Sequence, residues 1–153
     1  MTDTLPIGHP SLQTPAIGVL LVNLGTPDGY DVKSMRRYLA EFLSDPRVIE
    51  APKWIWWPIL HGIILNTRPR KSGEAYRKIW MEAQGESPLR YYTRALTDAL
   101  APRFSTPHVI VDWAMRYGTP SIPEKLEELR RQRCEQILIC ARHPHSSQAP
   151  THS

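Results

Sequence analysis

The chain has 153 residues, 41% of them hydrophobic and 22% charged, with a net charge of +4. That is enough for one domain with a substantial core and is the composition of a globular chain. The 19 Lys and Arg are scattered, with no basic run interleaved with aromatics, so nucleic acid is not indicated and a solvated basic surface is the simpler reading.

In chain order, residues 1–15 are polar, with Pro6, Pro10 and Pro15, and are expected to be a disordered leader. Ala16 to Leu24 is almost continuously apolar and β-branched, the pattern of a strand covered on both faces in a parallel sheet. Gly25-Thr-Pro-Asp-Gly29 breaks it, and from Asp31, a candidate N-cap, Val32, Met35, Leu39, Phe42 and Leu43 recur at helical spacing until Asp45-Pro46. Trp54 to Leu65 is the most apolar stretch, with Pro58 and Gly62 expected to interrupt any helix there.

Ser87 and Pro88 suit the cap and first position of a helix carrying Tyr92, Ala95, Leu96, Ala99 and Leu100. Val109 to Trp113 reads as a second strand. Ser121-Ile-Pro-Glu124 has capping-box spacing and opens a helix that buries Ile122, Leu126 and Leu129. Gln136 to Cys140 reads as a third, buried strand, and 141–153 as a divergent, disordered tail. Strands alternating with helices predict an α/β fold over 16–140: a three-layer open parallel sheet flanked by helices, joined by right-handed crossovers.

Isolated motifs carry little chemistry. The loop at Gly25–Gly29 has neither the P-loop nor the dinucleotide fingerprint and reads as a tight strand-to-helix turn. His143-x-His145 would need further ligands to hold a metal, so no metal site is assigned. Two cysteines, Cys134 and Cys140, suit neither a zinc site nor a disulfide framework and point to a reducing, cytoplasmic compartment. No apolar run reaches the ~18 residues of a membrane span.

The tryptophan-rich stretch is more informative. A segment apolar all round must be buried in protein, dock on a membrane, or line a large apolar pocket. Just beyond it stand Arg68, Arg70 and Lys71. An apolar wall beside guanidinium groups suits a flat hydrophobic ligand bearing carboxylates, which arginine binds through paired hydrogen bonds.

Five blocks then occur in order: Val22-Asn-Leu-Gly-Thr-Pro27, Arg37 to Ile49, Arg70 to Trp80, Glu86-Ser-Pro-Leu89 and Met115-Arg-Tyr-Gly-Thr-Pro-Ser121. From Ile17 to Cys140 the chain resembles bacterial ferrochelatases. The resemblance implies haem synthesis by insertion of ferrous iron, a substrate, into protoporphyrin IX, with haem and two protons as products and no certain cofactor. It implies one domain of a two-domain fold with the porphyrin in the cleft between the domains. Leu24, Arg68, Tyr76 and Ser87 match porphyrin-contact positions. Trp54, Trp57, Ile64 and Leu65 match an apolar lip able to approach a membrane.

The pattern departs from the family at Arg133, where a turn glycine is usual, and at 141–147, where Pro-Leu-Tyr-Pro-Gln-Tyr-Ser is expected. In the family the histidine and glutamate that receive the pyrrole protons belong to the second domain, and no residue here matches them. The chain is therefore expected to be an N-terminal half with little activity alone, the alternative being a non-catalytic porphyrin- or haem-binding or membrane-surface module.

Overall fold

In a computed structural model, residues 15–104 and 108–142 are described. The expectations for a leader and for His143, His145 and the tail beyond them fall outside these residues.

The described residues form a parallel sheet in the order β2-β1-β3. The central strand β1 (Ala16–Gly25) is the apolar run, and Val19, Leu20, Leu21 and Val22 are all buried in it. Both neighbours hydrogen-bond to it in parallel: β2 (Val109–Tyr117) from Ile17↔Val109 to Gly25↔Tyr117, and β3 (Cys134–Ala141) from Ile17↔Gln136 to Val22↔Ala141. β2 runs four residues past the expected Trp113, because Ala114, Met115 and Tyr117 are buried where β1 continues beside them.

Helix α1 (Val32–Ser44) follows β1 and is capped as expected, the Asp31 carboxylate accepting from the Ser34 N–H at 2.9 Å. The expected break at Pro58 and Gly62 does not occur. Helix α2 (Lys53–Ile59) passes through a π-helical turn, Leu60–Ile64, directly into α3 (Leu65–Ile79). Pro58 removes one backbone donor and crowds the turn before it, and the widened turn just downstream lets the helix continue. A Cβ on Gly62 would meet nothing within 4 Å, so this glycine marks a solvent-facing position rather than a break.

Helix α4 (Pro88–Leu100) and helix α5 (Ile122–Arg131) cover opposite faces of the sheet. Leu20, Val22 and Ala114 pack against Leu129, with Ile122 and Leu126 half-buried around them, on the α5 side. On the other side Asn23 reaches Thr93 of α4. The Ser121–Glu124 capping box forms in full. α1 and α3 pack together at the carboxyl end of the sheet, where Met35 and Tyr38 meet Tyr117.

One sequence expectation changes at β3. The strand is not buried: Leu138 is 58% and Ile139 53% exposed, because β3 lies at the sheet edge with a neighbour on one side only among the described residues. Arg133, where the resemblance leads one to expect a turn glycine, has φ +60°. It follows the α5 cap residue Gln132, where a left-handed conformation suits glycine. Arg133→Gly should therefore raise stability by about 1 kcal/mol, the cost of holding an L-residue in that region. A denaturant midpoint unchanged or lowered in the variant would contradict this.

Candidate functional site

The carboxyl edge of an open parallel sheet is where such folds place ligands. Here the edge begins at Asn23 and Leu24. The Asn23 amide donates to Thr93 Oγ1 at 3.0 Å while its oxygen accepts from the Leu24 N–H at 2.9 Å, which fixes the end of β1. Leu24 stays 37% exposed. Beside it an open groove of about 530 Å³ is lined by Asn23, Leu89, Tyr92, Thr93 and Arg142 among others. Its walls combine apolar and aromatic side chains (Leu89, Leu96, Tyr92) with the polar Asn23 and Thr93 and one guanidinium.

Gly25 must be glycine. Its φ is +120°, and a Cβ there would stand 2.0 Å from the Tyr117 carbonyl oxygen. The loop after it is tied down by one carboxylate. Asp28 accepts from Arg37 and Arg90, each at 2.6 Å, and from the Thr119 hydroxyl at 2.5 Å. Burial alone would raise the pKa of Asp28. The Thr119 and Arg90 hydrogen bonds and the two guanidinium charges outweigh it, so the carboxyl lies below its ordinary value. A second knot forms at Asp45, which accepts from Tyr117 at 2.7 Å and Arg116 at 3.0 Å. Those bonds, the Tyr117 one foremost, together with the Arg47 N–H, pull its pKa to about 2.

The helical segment 53–79 forms a second surface. Trp54 is 78%, Trp57 62% and Ile63 60% exposed, and the Trp57 and His61 rings lie 4.3 Å apart between centroids. Trp56 turns inward instead, donating its indole N–H to the Leu43 carbonyl at 2.7 Å. Eleven residues beyond Trp57, or about 16 Å along a helix, stands Arg68. Arg68 is exposed and lines a groove of about 370 Å³ with Lys71, Ser72 and Ala75.

Tyr76 connects the two surfaces. It packs half-buried against Met35, Tyr38 and Tyr117. The Tyr38 hydroxyl donates to the Gly25 carbonyl at 3.3 Å, and its phenol is pushed well above the ordinary value, first by burial and then by neighbouring Tyr76, so it stays protonated. A continuous path of contacts thus runs from the end of β1 to α3.

Two of the sequence-derived site residues are buried. Ser87 is 1% exposed, its hydroxyl accepting from the Arg90 N–H at 3.3 Å as the α4 cap. Leu65 is 5% exposed, in a core cluster with Leu43 and Leu60, and Ile64 packs half-buried on the same cluster. The π turn explains this, since it rotates the residues after it and carries Leu65 inward. Of the four lip residues, Trp54 and Trp57 are the exposed ones.

Asp28, Asn23 and Arg142 were not singled out from sequence. Their partners lie far along the chain, 62 residues away for Asp28–Arg90 and 70 for Asn23–Thr93. Among the described residues no three His, Cys, Asp or Glu side chains are grouped as metal ligands.

The ferrochelatase family profile matches residues 16–153. The chain belongs to the ferrochelatase family. Proteins named ferrochelatase from Brucella ovis, Brucella abortus and Brucella melitensis are each 57% identical to it over 144 residues. The match takes in 94% of this chain and 41% of each relative, so the chain spans well under half the length of these ferrochelatases. No helix among the described residues is long and apolar enough to cross a membrane.

Proposed function

We propose that this chain supplies one wall of a site where ferrous iron is inserted into protoporphyrin IX. The observation that carries the reading is the 57% identity to ferrochelatases over nearly the whole chain. The geometry supports it: exposed indoles at Trp54 and Trp57 offer flat apolar contact, and Arg68 presents a guanidinium suited to a propionate. Leu24 contacts the macrocycle from the sheet edge. Tyr76 and Ser87 act on the pocket from behind, Tyr76 through the packing of α3 and Ser87 by fixing the start of α4.

Metal insertion requires the macrocycle to lose two N–H protons, so a positioned base is needed. At the carboxyl edge Asp28 and Asp45 are engaged in their knots and the Glu41 carboxylate accepts from the Gly118 N–H at 3.0 Å, while His108 precedes β2 at the opposite end, its carbonyl accepting from the Ile17 N–H at 2.6 Å. We assign the base to no residue of this chain. The chain on its own should therefore form haem from ferrous iron and protoporphyrin no faster than the uncatalysed reaction. Haem formation well above that rate, abolished by Arg68→Ala, would overturn this assignment.

A second reading rests on the same exposed indoles. Trp54, Trp57 and Ile63 face solvent on one helical segment, with Lys33, Arg36 and Arg37 lining a groove that includes His61. Tryptophan over basic side chains suits the interface of an anionic bilayer, so this face also makes a peripheral membrane contact. Failure of the chain to float with vesicles containing anionic phospholipid would remove that reading.

A further inference from the structure

The π turn between α2 and α3 sets which side chains of the segment face outward. Leu60 and Leu65 would stand about 140° apart round an α-helix, yet both are buried in one cluster with Leu43. They can share it because the Leu65 N–H reaches back to the Leu60 carbonyl, one residue further than in an α-helix, which widens the turn. The buried positions therefore run Leu60, Leu65, Pro69 and Gly73, a step of five followed by steps of four.

If the widening were lost, α2 is the half that would turn. α3 is seated at Gly73, where a Cβ would stand 2.2 Å from the Tyr30 carbonyl oxygen. α2 has no buried residue, and Trp56 is its inward anchor. Counting back from Leu65 by α-helical steps of four and three places His61, Pro58 and Trp54 inward, with Leu60 and Trp56 turned out. The widened turn is thus what displays Trp54.

We propose that Arg36 is a positioning residue for the indole wall: through Asn66 it holds the π turn open and so keeps Trp54 turned out beside Trp57. The Asn66 amide N–H groups donate to the Gly62 carbonyl at 2.9 Å and the His61 carbonyl at 3.2 Å, and the Thr67 hydroxyl donates to the Ile63 carbonyl at 2.9 Å. Three successive carbonyls of the turn are thus taken up by side chains. The Asn66 amide oxygen accepts in turn from Arg36 Nη2, while Arg36 Nε donates to the Leu65 carbonyl at 2.9 Å. This guanidinium, reaching over from α1, fixes the amide in the orientation that aims its NH2 group at the turn. Its two contacts use the rigid fork of arginine, which lysine cannot reproduce. Pro58 crowds the turn before it and supplies none of these bonds. The role in porphyrin binding rests on the function proposed above; the register of the helix does not.

Thiol labelling tests the register without porphyrin. With Cys134 and Cys140 replaced by alanine, Trp54→Cys should react rapidly and Leu60→Cys slowly, since Trp54 is 78% and Leu60 1% exposed. Adding Arg36→Ala should reverse that order, each rate moving roughly tenfold. Asn66→Asp should reverse it too, although a carboxylate binds Arg36 more strongly, because it leaves no N–H for the two carbonyls. Rates unchanged by either substitution, or both thiols made reactive as in local unfolding, would overturn the inference. In the chain with its native cysteines, Arg36→Ala should weaken porphyrin quenching several-fold, and no further once Trp54 is replaced by alanine. Reversed labelling with porphyrin affinity unchanged would overturn the positioning role. Reversed labelling in a chain that binds no porphyrin would uphold the clamp and remove only the porphyrin reading.

Discussion

Gly25→Ala is expected to cost about 4 kcal/mol or more, in the range reached only by a named structural conflict. A methyl group there would sit 2.0 Å from the Tyr117 carbonyl oxygen, and both strands that would have to move are locked into the ladder. The φ of +120° adds strain of about 1–3 kcal/mol for any residue other than glycine. Gly85 provides the control. It too has positive φ, +67°, but nothing lies within 4 Å of a Cβ built on it, so Gly85→Ala should cost only about 1–2 kcal/mol. Urea unfolding of the two variants separates conformational strain from collision. Equal losses would show that the approach of β1 to Tyr117 is not the constraint. Because Leu24 is held by the same strand end, Gly25→Ala should also disorder the sheet edge that we place against the porphyrin.

The second large effect is expected at Asp28. Asp28→Ala should destabilise the chain by about 2–3 kcal/mol, at the low end of the cost of stranding a charge inside a protein, because Asp28 is 26% exposed. Most of the loss falls on Arg90, whose side chain is 15% exposed and whose Nε has no partner among the described residues. Since the pKa of Asp28 is lowered on folding, its contribution is fully present above the unfolded carboxylate value of about 4 and disappears as pH falls through the lower folded value. Above about pH 4 the gap in stability between wild type and Asp28→Ala should stand at its full value, and as pH falls from about 4 through the lower folded pKa it should close. A constant difference between them across that range would mean that the charge of Asp28 is not what ties the loop.

The sheet and most helices were legible because their signals are local. β1 is a run of buried residues, and the caps at Asp31, Ser87 and Ser121 sit beside the apolar periodicities they start. The segment 53–79 was not legible as one helix, because Pro58, Gly62 and Pro69 each signal a break and none shows that a π turn absorbs the first. The exposure of β3 is not legible in sequence for a related reason: Gln136 to Cys140 has the composition of a central strand, and its place at the edge among the described residues is a matter of topology.

The site divides along the same line. The tryptophans and Arg68 stand close together in the chain and were read as an apolar wall beside a cation. Asp28 reads in sequence only as part of a tight turn, since Arg37, Arg90 and Thr119 gather around it only in the folded chain. Ser87 illustrates the opposite limit. Its motif position is clear in sequence, but its hydroxyl is taken up by the helix it caps.

Titration of the chain with protoporphyrin IX, followed by quenching of tryptophan fluorescence, tests most directly whether it carries a porphyrin-binding wall. Saturable quenching at micromolar porphyrin is expected, weakened roughly tenfold by Arg68→Ala through loss of one charge-assisted hydrogen bond. The Trp57→Ala variant should lose part of the quenching amplitude as well as affinity. Linear, non-saturating quenching that is indifferent to both substitutions would contradict the assignment of this face to the porphyrin.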